Sequence, residues 1–220
     1  VTVEDQNLEN VQEALNTTTM WIEKNQKKLL IAVSAIVVLV VAVLGYNQYV
    51  VKPNQENINN ENALATVYFM QGNYEVALNG DSANCVGFKE IADEYTMYQG
   101  GKLAALYTGI CYFQMGQYEN AVEYLKKFDA KDVNVAPAAL QLLGDTYVRL
   151  EDYNNAAKAF ESAAKSGNKV IAPMSLRKLG FVYIELGDKA AAKKAFETIK
   201  NEYPASAEAS DIDKYISIAE

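Results

Sequence analysis

Three short blocks in the second half of the chain echo one another: Gly109-Ile110-Cys111-Tyr112, Gly144-Asp145-Thr146-Tyr147 and Gly180-Phe181-Val182-Tyr183. Each places a tyrosine three residues after a glycine, and the blocks lie 35 and 36 residues apart. A second signal follows each block: Gly116-Gln117-Tyr118 with Ala121, Asp152-Tyr153 with Ala156, and Gly187-Asp188 with Ala192. Leu125, Phe160 and Phe196 stand four residues after those alanines. Self-similarity at this period means a supersecondary unit that cannot bury its apolar face alone and must stack on its neighbours.

The residue types say what the unit is. Glycine in one segment and alanine in the next allow two helices to approach closely, while tyrosine and phenylalanine fill the space between adjacent units. Gly116, Glu151-Asp152 and Gly187 are expected to end one helix and start its partner. Pro137 and Pro173 fall where the first turn of a helix tolerates proline. A weaker first copy carries Tyr68, Gly72-Asn73-Tyr74 and Ala77, with Ala65 in place of the glycine. Its second helix is expected to break at Asn79-Gly80-Asp81 and to resume over Phe88–Tyr95, an insertion of about nine residues relative to the ~34-residue period. After Tyr203-Pro204, Ala207–Ala219 with Ile212, Tyr215 and Ile216 is expected to form a capping helix. These residues resemble the tetratricopeptide repeat, over Lys102–Lys131, Pro137–Gly167 and Pro173–Pro204, and over most of residues 58–206 with the first copy included. The resemblance implies antiparallel helix pairs, an all-α solenoid and a protein-binding role.

Ahead of the repeats, Leu29–Val51 holds 23 residues without a charge. About 20 suffice to cross a hydrocarbon core as a helix. Trp21 lies before the run and Tyr46 and Tyr49 near its end, positions that suit the membrane interface. Ala42-Val43-Leu44 offers no clean small-x-small cleavage site, and mixed-charge residues precede the run, so an uncleaved signal anchor is expected. Lys24, Lys27 and Lys28 flank one end and only Lys52 the other, which places the N-terminus in the cytoplasm and residues 52–220 across the membrane. The expected organisation is therefore a cytoplasmic arm over 1–28, a transmembrane anchor over 29–51 and a repeat domain over 52–220. In the arm, Leu8, Val11, Leu15, Thr18 and Ile22 share one helical face, suited either to docking or to a short surface helix.

Charge and chemistry narrow the function further. The net charge of −8 is negative on both sides of the anchor, with five acids against three lysines in 1–28, and a nucleic-acid partner needs a clustered basic surface. Histidine is absent, which removes imidazole bases, metal ligands and triads. Two cysteines, Cys85 and Cys111, make neither a disulfide framework nor a zinc site, and read as small buried hydrophobes unless they pair with each other. Gly100-Gly101-Lys102 has no preceding strand to make a phosphate loop. No catalytic residue, metal or cofactor is expected. Asn16-Thr17-Thr18 matches a glycosylation acceptor on the cytoplasmic side, and Asp81-Ser82-Ala83 resembles an O-glycosylation acceptor of Bacteroidota.

A partner would meet the concave face, lined by the first helix of each pair. Counting along those helices selects Phe69, Met70, Leu106, Ile110, Phe113, Gln141, Asp145, Val148, Arg149, Arg177, Phe181, Ile184 and Glu185. The set is apolar for a surface, and two occupants are open: a protein partner, or the array's own helices and cap. Repeat domains that grip acidic C-termini use basic residues and asparagine where this chain has Asn62, Leu106, Gln141 and Arg177, which disfavours that mode.

The layout, with Trp21–Lys28 leading into the span, also resembles the bacterial inner-membrane family of the ancillary Sec translocon subunit. That resemblance implies a periplasmic repeat domain that assists newly exported chains or recruits a periplasmic chaperone. The alternative is a scaffold for cell-envelope or division assembly.

Overall fold

Helices account for every regular element among the described residues, because the apolar positions recur at helical and never at alternating spacing. A computed structural model describes residues 3–81, 83–129 and 132–220, with side chains from Thr19 onward. Ser82, the acceptor of the Asp81-Ser82-Ala83 motif, lies outside the described residues, as do the side chains of Leu8, Val11, Leu15 and Thr18 and those of Asn16-Thr17-Thr18.

The chain divides into two compact units, the second being Gln55–Glu220. In the first, α1 spans Val3–Tyr46 and is followed by a π-helical turn, Asn47–Val51. The arm and most of the apolar run lie on this one helix. Along the apolar run nearly every side chain is exposed. The helix is long and apolar enough to cross a membrane.

The second unit is a stack of helix pairs. Helix α2 (Lys52–Met70) is answered by a broken partner, α3 (Tyr74–Asn79) and α4 (Phe88–Glu94). The three further pairs are α5 (Gln99–Gln114) with α6 (Tyr118–Lys127), α7 (Val135–Arg149) with α8 (Tyr153–Ala164), and α9 (Ile171–Glu185) with α10 (Lys189–Glu202). The expected capping helix is shorter than its sequence suggests: a 3-10 turn at Ala207–Ala209 precedes α11, Ile212–Ile218.

The turns inside the pairs share one construction. Gly72, Gly116 and Gly187 adopt φ of 75°, 74° and 75°, and Glu151 does the same at 57°. Glycine takes this left-handed conformation without a Cβ clash. Asn73, Asp152 and Asp188 then cap α3, α8 and α10 by accepting from the backbone N–H of Val76, Asn155 and Ala191.

The repeat glycines serve a purpose slightly different from the expected backbone approach. A Cβ on Gly144 would stand 2.5 Å from the Phe160 ring, and one on Gly109 2.6 Å from Leu125. Gly180 meets Phe196 in the same way. Each glycine is therefore the socket for the large side chain of its own partner helix, and Tyr112 and Tyr147, three residues after Gly109 and Gly144, are buried. Apolar clusters run along the unit: Ile58, Phe88 and Ile91 at its start, Leu106, Leu125 and Ala139 next, then Tyr147, Phe160 and Val182, and Phe196, Ile199 and Ile212 under α11.

The insertion in the first pair is held by its own acid. Asp81 Oδ1 accepts from the backbone N–H of Ala83, Asn84 and Cys85 at 3.0, 2.6 and 2.9 Å, and Oδ2 accepts from the Tyr68 hydroxyl at 2.8 Å. Beyond it, Phe88 stacks on Tyr107 at 4.8 Å, so α4 supplies the aromatic that a continuous second helix would have carried. Cys85 and Cys111 are both free and buried.

Candidate protein-interaction surface

The first helices α2, α5, α7 and α9 present the residues selected for the concave face, but the structure sorts them into three groups. Several are core. Leu106 is only 7% exposed and packs with Leu125 and Ala139, with Ile110 half-buried beside it. Phe69 sits in an aromatic cluster, its ring 5.6 Å from Tyr74 and 5.1 Å from Tyr107. Phe113 packs on the same core and meets Tyr118 edge-on at 5.6 Å. Gln141 is buried, and its Nε2 has no hydrogen-bond partner among the described residues. These positions were selected because helical counting cannot separate the face that meets the neighbouring helix from the face that meets solvent.

A second group is taken up by the cap. Arg177 Nη2 donates to Asp211 at 3.2 Å and to the Tyr215 hydroxyl at 2.8 Å, with the guanidinium 4.8 Å over the Tyr215 ring. Phe181 meets Tyr215 edge-on at 5.0 Å and Phe196 at 5.6 Å, and Ile184 packs on the same cluster. Of the two occupants left open by the sequence, the chain's own cap is the one found at this end.

The third group lines an open cleft. Asp145, Val148, Phe181 and Glu185 border a cavity of about 320 Å³ between α7 and α9, with Tyr153 and Phe160 of α8 beneath. Phe181 therefore divides its surface between cap and cleft, and is 39% exposed. Met70 is 81% exposed at the end of α2, and Arg149 is exposed at the end of α7.

Sequence reasoning missed the basic residue of this cleft. Lys178 Nζ contacts both carboxylate oxygens of Asp145, at 2.7 and 2.6 Å, and lines the cavity with it. The signal was available: Lys178 precedes Phe181 by one helical turn and so shares its face. A half-exposed pair of this kind contributes about 0.2–1 kcal/mol to stability. A larger cavity, about 500 Å³, lies on the other side of the array, bordered by Leu176, Leu179, Tyr183, Lys194 and Tyr203. Nothing in the repeat pattern pointed to it, because its lining comes from residues the repeat uses for packing.

The arrangement is one of helical grooves, with no clustering of three metal-ligating side chains among the described residues. Known families agree with it. Residues 174–206 match the family model described as tetratricopeptide repeat, in register with α9 and α10. Residues 90–163 match that described as anaphase-promoting complex, cyclosome, subunit 3.

The chain is a tetratricopeptide-repeat protein.

Solved structures share the fold of this repeat protein at low identity. A crystal structure of MamA is 21% identical, with a TM-score of 0.52, and the match covers 70% of this chain and 91% of that one. A second MamA crystal structure is 20% identical with a TM-score of 0.54, covering 74% and 90% of the two chains. A Podosopora anserina chain of nearly identical TPR-like repeats is 13% identical with a TM-score of 0.55, covering 75% of this chain and 85% of that one. No curated protein matches the sequence. Tetratricopeptide arrays are protein-interaction modules.

Proposed function

We propose that this tetratricopeptide-repeat protein is anchored in a bacterial inner membrane by its N-terminal helix, with the repeats on the periplasmic side. There it acts as an accessory of the Sec translocon that recruits a folding factor for newly exported chains. It binds, and does not catalyse. The observation that carries the anchor is the apolar stretch within Thr19–Met70, whose most apolar window has no buried residue. An apolar surface of that extent needs a lipid or protein cover. Lys24, Lys27 and Lys28 on its N-terminal flank support the orientation.

The cleft shapes the rest of the reading. A surface for unfolded clients would be broad and apolar, whereas Leu106, Ile110 and Phe69 turn into the core and the open part carries the Asp145–Lys178 pair. That favours one defined partner over many clients. The same observation favours the second reading, a scaffold that holds envelope or division proteins together.

Co-purification of the full-length protein in mild detergent, with mass spectrometry of what stays bound, separates the readings. Translocon subunits or a periplasmic chaperone, lost in Lys178→Glu and Phe181→Ala, are the expected result. Envelope-assembly or division proteins in their place would move the assignment to the scaffold. A protease-access assay that finds the repeats in the cytoplasm would remove the export reading altogether.

A further inference from the structure

The starts of the first helices form one continuous edge of the repeat unit. A cavity of about 820 Å³ is bordered by Gln55 near the start of α2, Leu103 near the start of α5 and Val135 at the start of α7. The edge then continues to α9, because Asn168 Nδ2 donates to the Val133 carbonyl at 3.3 Å and to Asn134 Oδ1 at 3.1 Å. Along it, an apolar side chain projects at the starts of α5, α7 and α9. Met97 precedes the N-cap of α5, Val133 precedes the N-cap of α7, and Val170 is the N-cap of α9. They are 89%, 72% and 68% exposed. A lone exposed aliphatic is ordinary, but recurrence at or just before the N-cap in three successive repeats forms a stripe. The opposite edge is made of Gly116-Gln117, Glu151-Asp152 and Gly187-Asp188, and apart from Met70 and Leu186 its projecting residues are small or polar.

We propose that this edge is a lipid-contacting edge, whose Met97, Val133 and Val170 dip into the headgroup layer of the membrane that carries the anchor. The proposal rests on the membrane-anchored reading above. Chain connectivity selects lipid as the occupant. Lys52, Pro53 and Asn54 are all that separates the uncharged run from Gln55, so the edge at which α2 begins is tethered within a few residues of the bilayer. Aliphatic side chains gain free energy at the boundary between headgroups and acyl chains. Two acids of the edge are already engaged. Asp129 pairs with Lys102 at 2.5 Å, and Asp132 accepts from the backbone N–H of Asn134 and Val135 at 2.8 and 2.7 Å. Approach to a lipid surface therefore strips less water from carboxylates than it would from open ones.

The test reconstitutes the full-length protein in vesicles of phosphatidylethanolamine and phosphatidylglycerol, with a fluorophore on one introduced cysteine at a time. Met97→Cys, Val133→Cys and Val170→Cys report the edge, Gln117→Cys and Asp188→Cys the opposite edge, and Val38→Cys the anchor. Cys85 and Cys111 are buried and stay unlabelled in the native protein. Brominated lipids are expected to cause a loss of intensity at 97, 133, 170 and 38 and to leave 117 and 188 unchanged. Loss at 38 with none at 97, 133 or 170 overturns the edge and leaves the anchor standing. No loss at 38 removes the anchor and the edge with it. Edge probes shielded from aqueous iodide yet untouched by brominated lipid would mean that a protein covers them, which also overturns the proposal.

Discussion

Asp81 does the work of several residues in a segment that departs from the repeat. Its carboxylate serves three backbone N–H groups and the Tyr68 hydroxyl, and the bonds from Asn84 and Cys85 hold it well below the usual carboxylate range. In the unfolded chain the group titrates near about 3.9. A lowered folded value means that its stabilisation is present above that pH and fades as the pH falls through and below it. Asp81→Ala should therefore lower the urea midpoint at pH 7, and the gap to the parent should close as the pH is taken below about 4. A gap that stays constant across that range would remove the carboxylate's role. Glu151 carries a different cost, since a side chain in the left-handed region loses about 1–2 kcal/mol relative to glycine. Against that, glycine brings extra freedom to the unfolded chain, so Glu151→Gly should stabilise by about 0.5–1 kcal/mol in denaturant titrations. The thiols should be inert for a simple reason. Burial pushes Cys111 up to about 12 and raises Cys85 as well. Neither should react with a disulfide reagent at pH 8 until urea is added, and prompt native labelling would contradict the burial.

At the scale of elements, the short helix α11 has the most to explain, because seven residues do not hold a helix in water unaided. It is held by what it touches: Tyr215 between the Phe181 and Phe196 rings, Ile212 in the last core cluster, and ion pairs from Arg177 to Asp211 and Lys200 to Asp213. The apolar part dominates, since exposed pairs contribute about 0.2–1 kcal/mol each. Tyr215→Ala should cost about 2–3 kcal/mol and expose α9 amides to hydrogen exchange, whereas Asp211→Ala should cost less than about 1 kcal/mol. Equal effects would mean that charge, and not packing, seats the cap.

At the scale of the molecule, two units with opposite solvent requirements share one chain. The repeats bury aromatic side chains against glycine, and the N-terminal helix exposes its aliphatic ones. A chain beginning at Gln55 should stay soluble and helical by circular dichroism, while the full chain should need detergent and pellet with membranes after alkaline carbonate washing. Release of the full chain by carbonate would argue for a peripheral attachment in place of an anchor.

Much of this was legible in the order of residues. The period, the Gly-to-Tyr spacing, the turn signals and the uncharged run are local and repetitive, so they specified helix pairs, their number and the break at Asn79-Gly80-Asp81. The candidate cleft was only partly legible. Asp145, Val148, Phe181 and Glu185 do meet around it, but Lys178 was missed and Leu106 and Gln141 proved to be buried. Periodicity states which residues share a face of a helix. Which face a neighbouring helix covers depends on how successive pairs rotate against each other, a property of side-chain packing between repeats that no single repeat contains. For the same reason only the tertiary structure could bring Tyr215 onto Phe181, and set Met97, Val133 and Val170 along one edge.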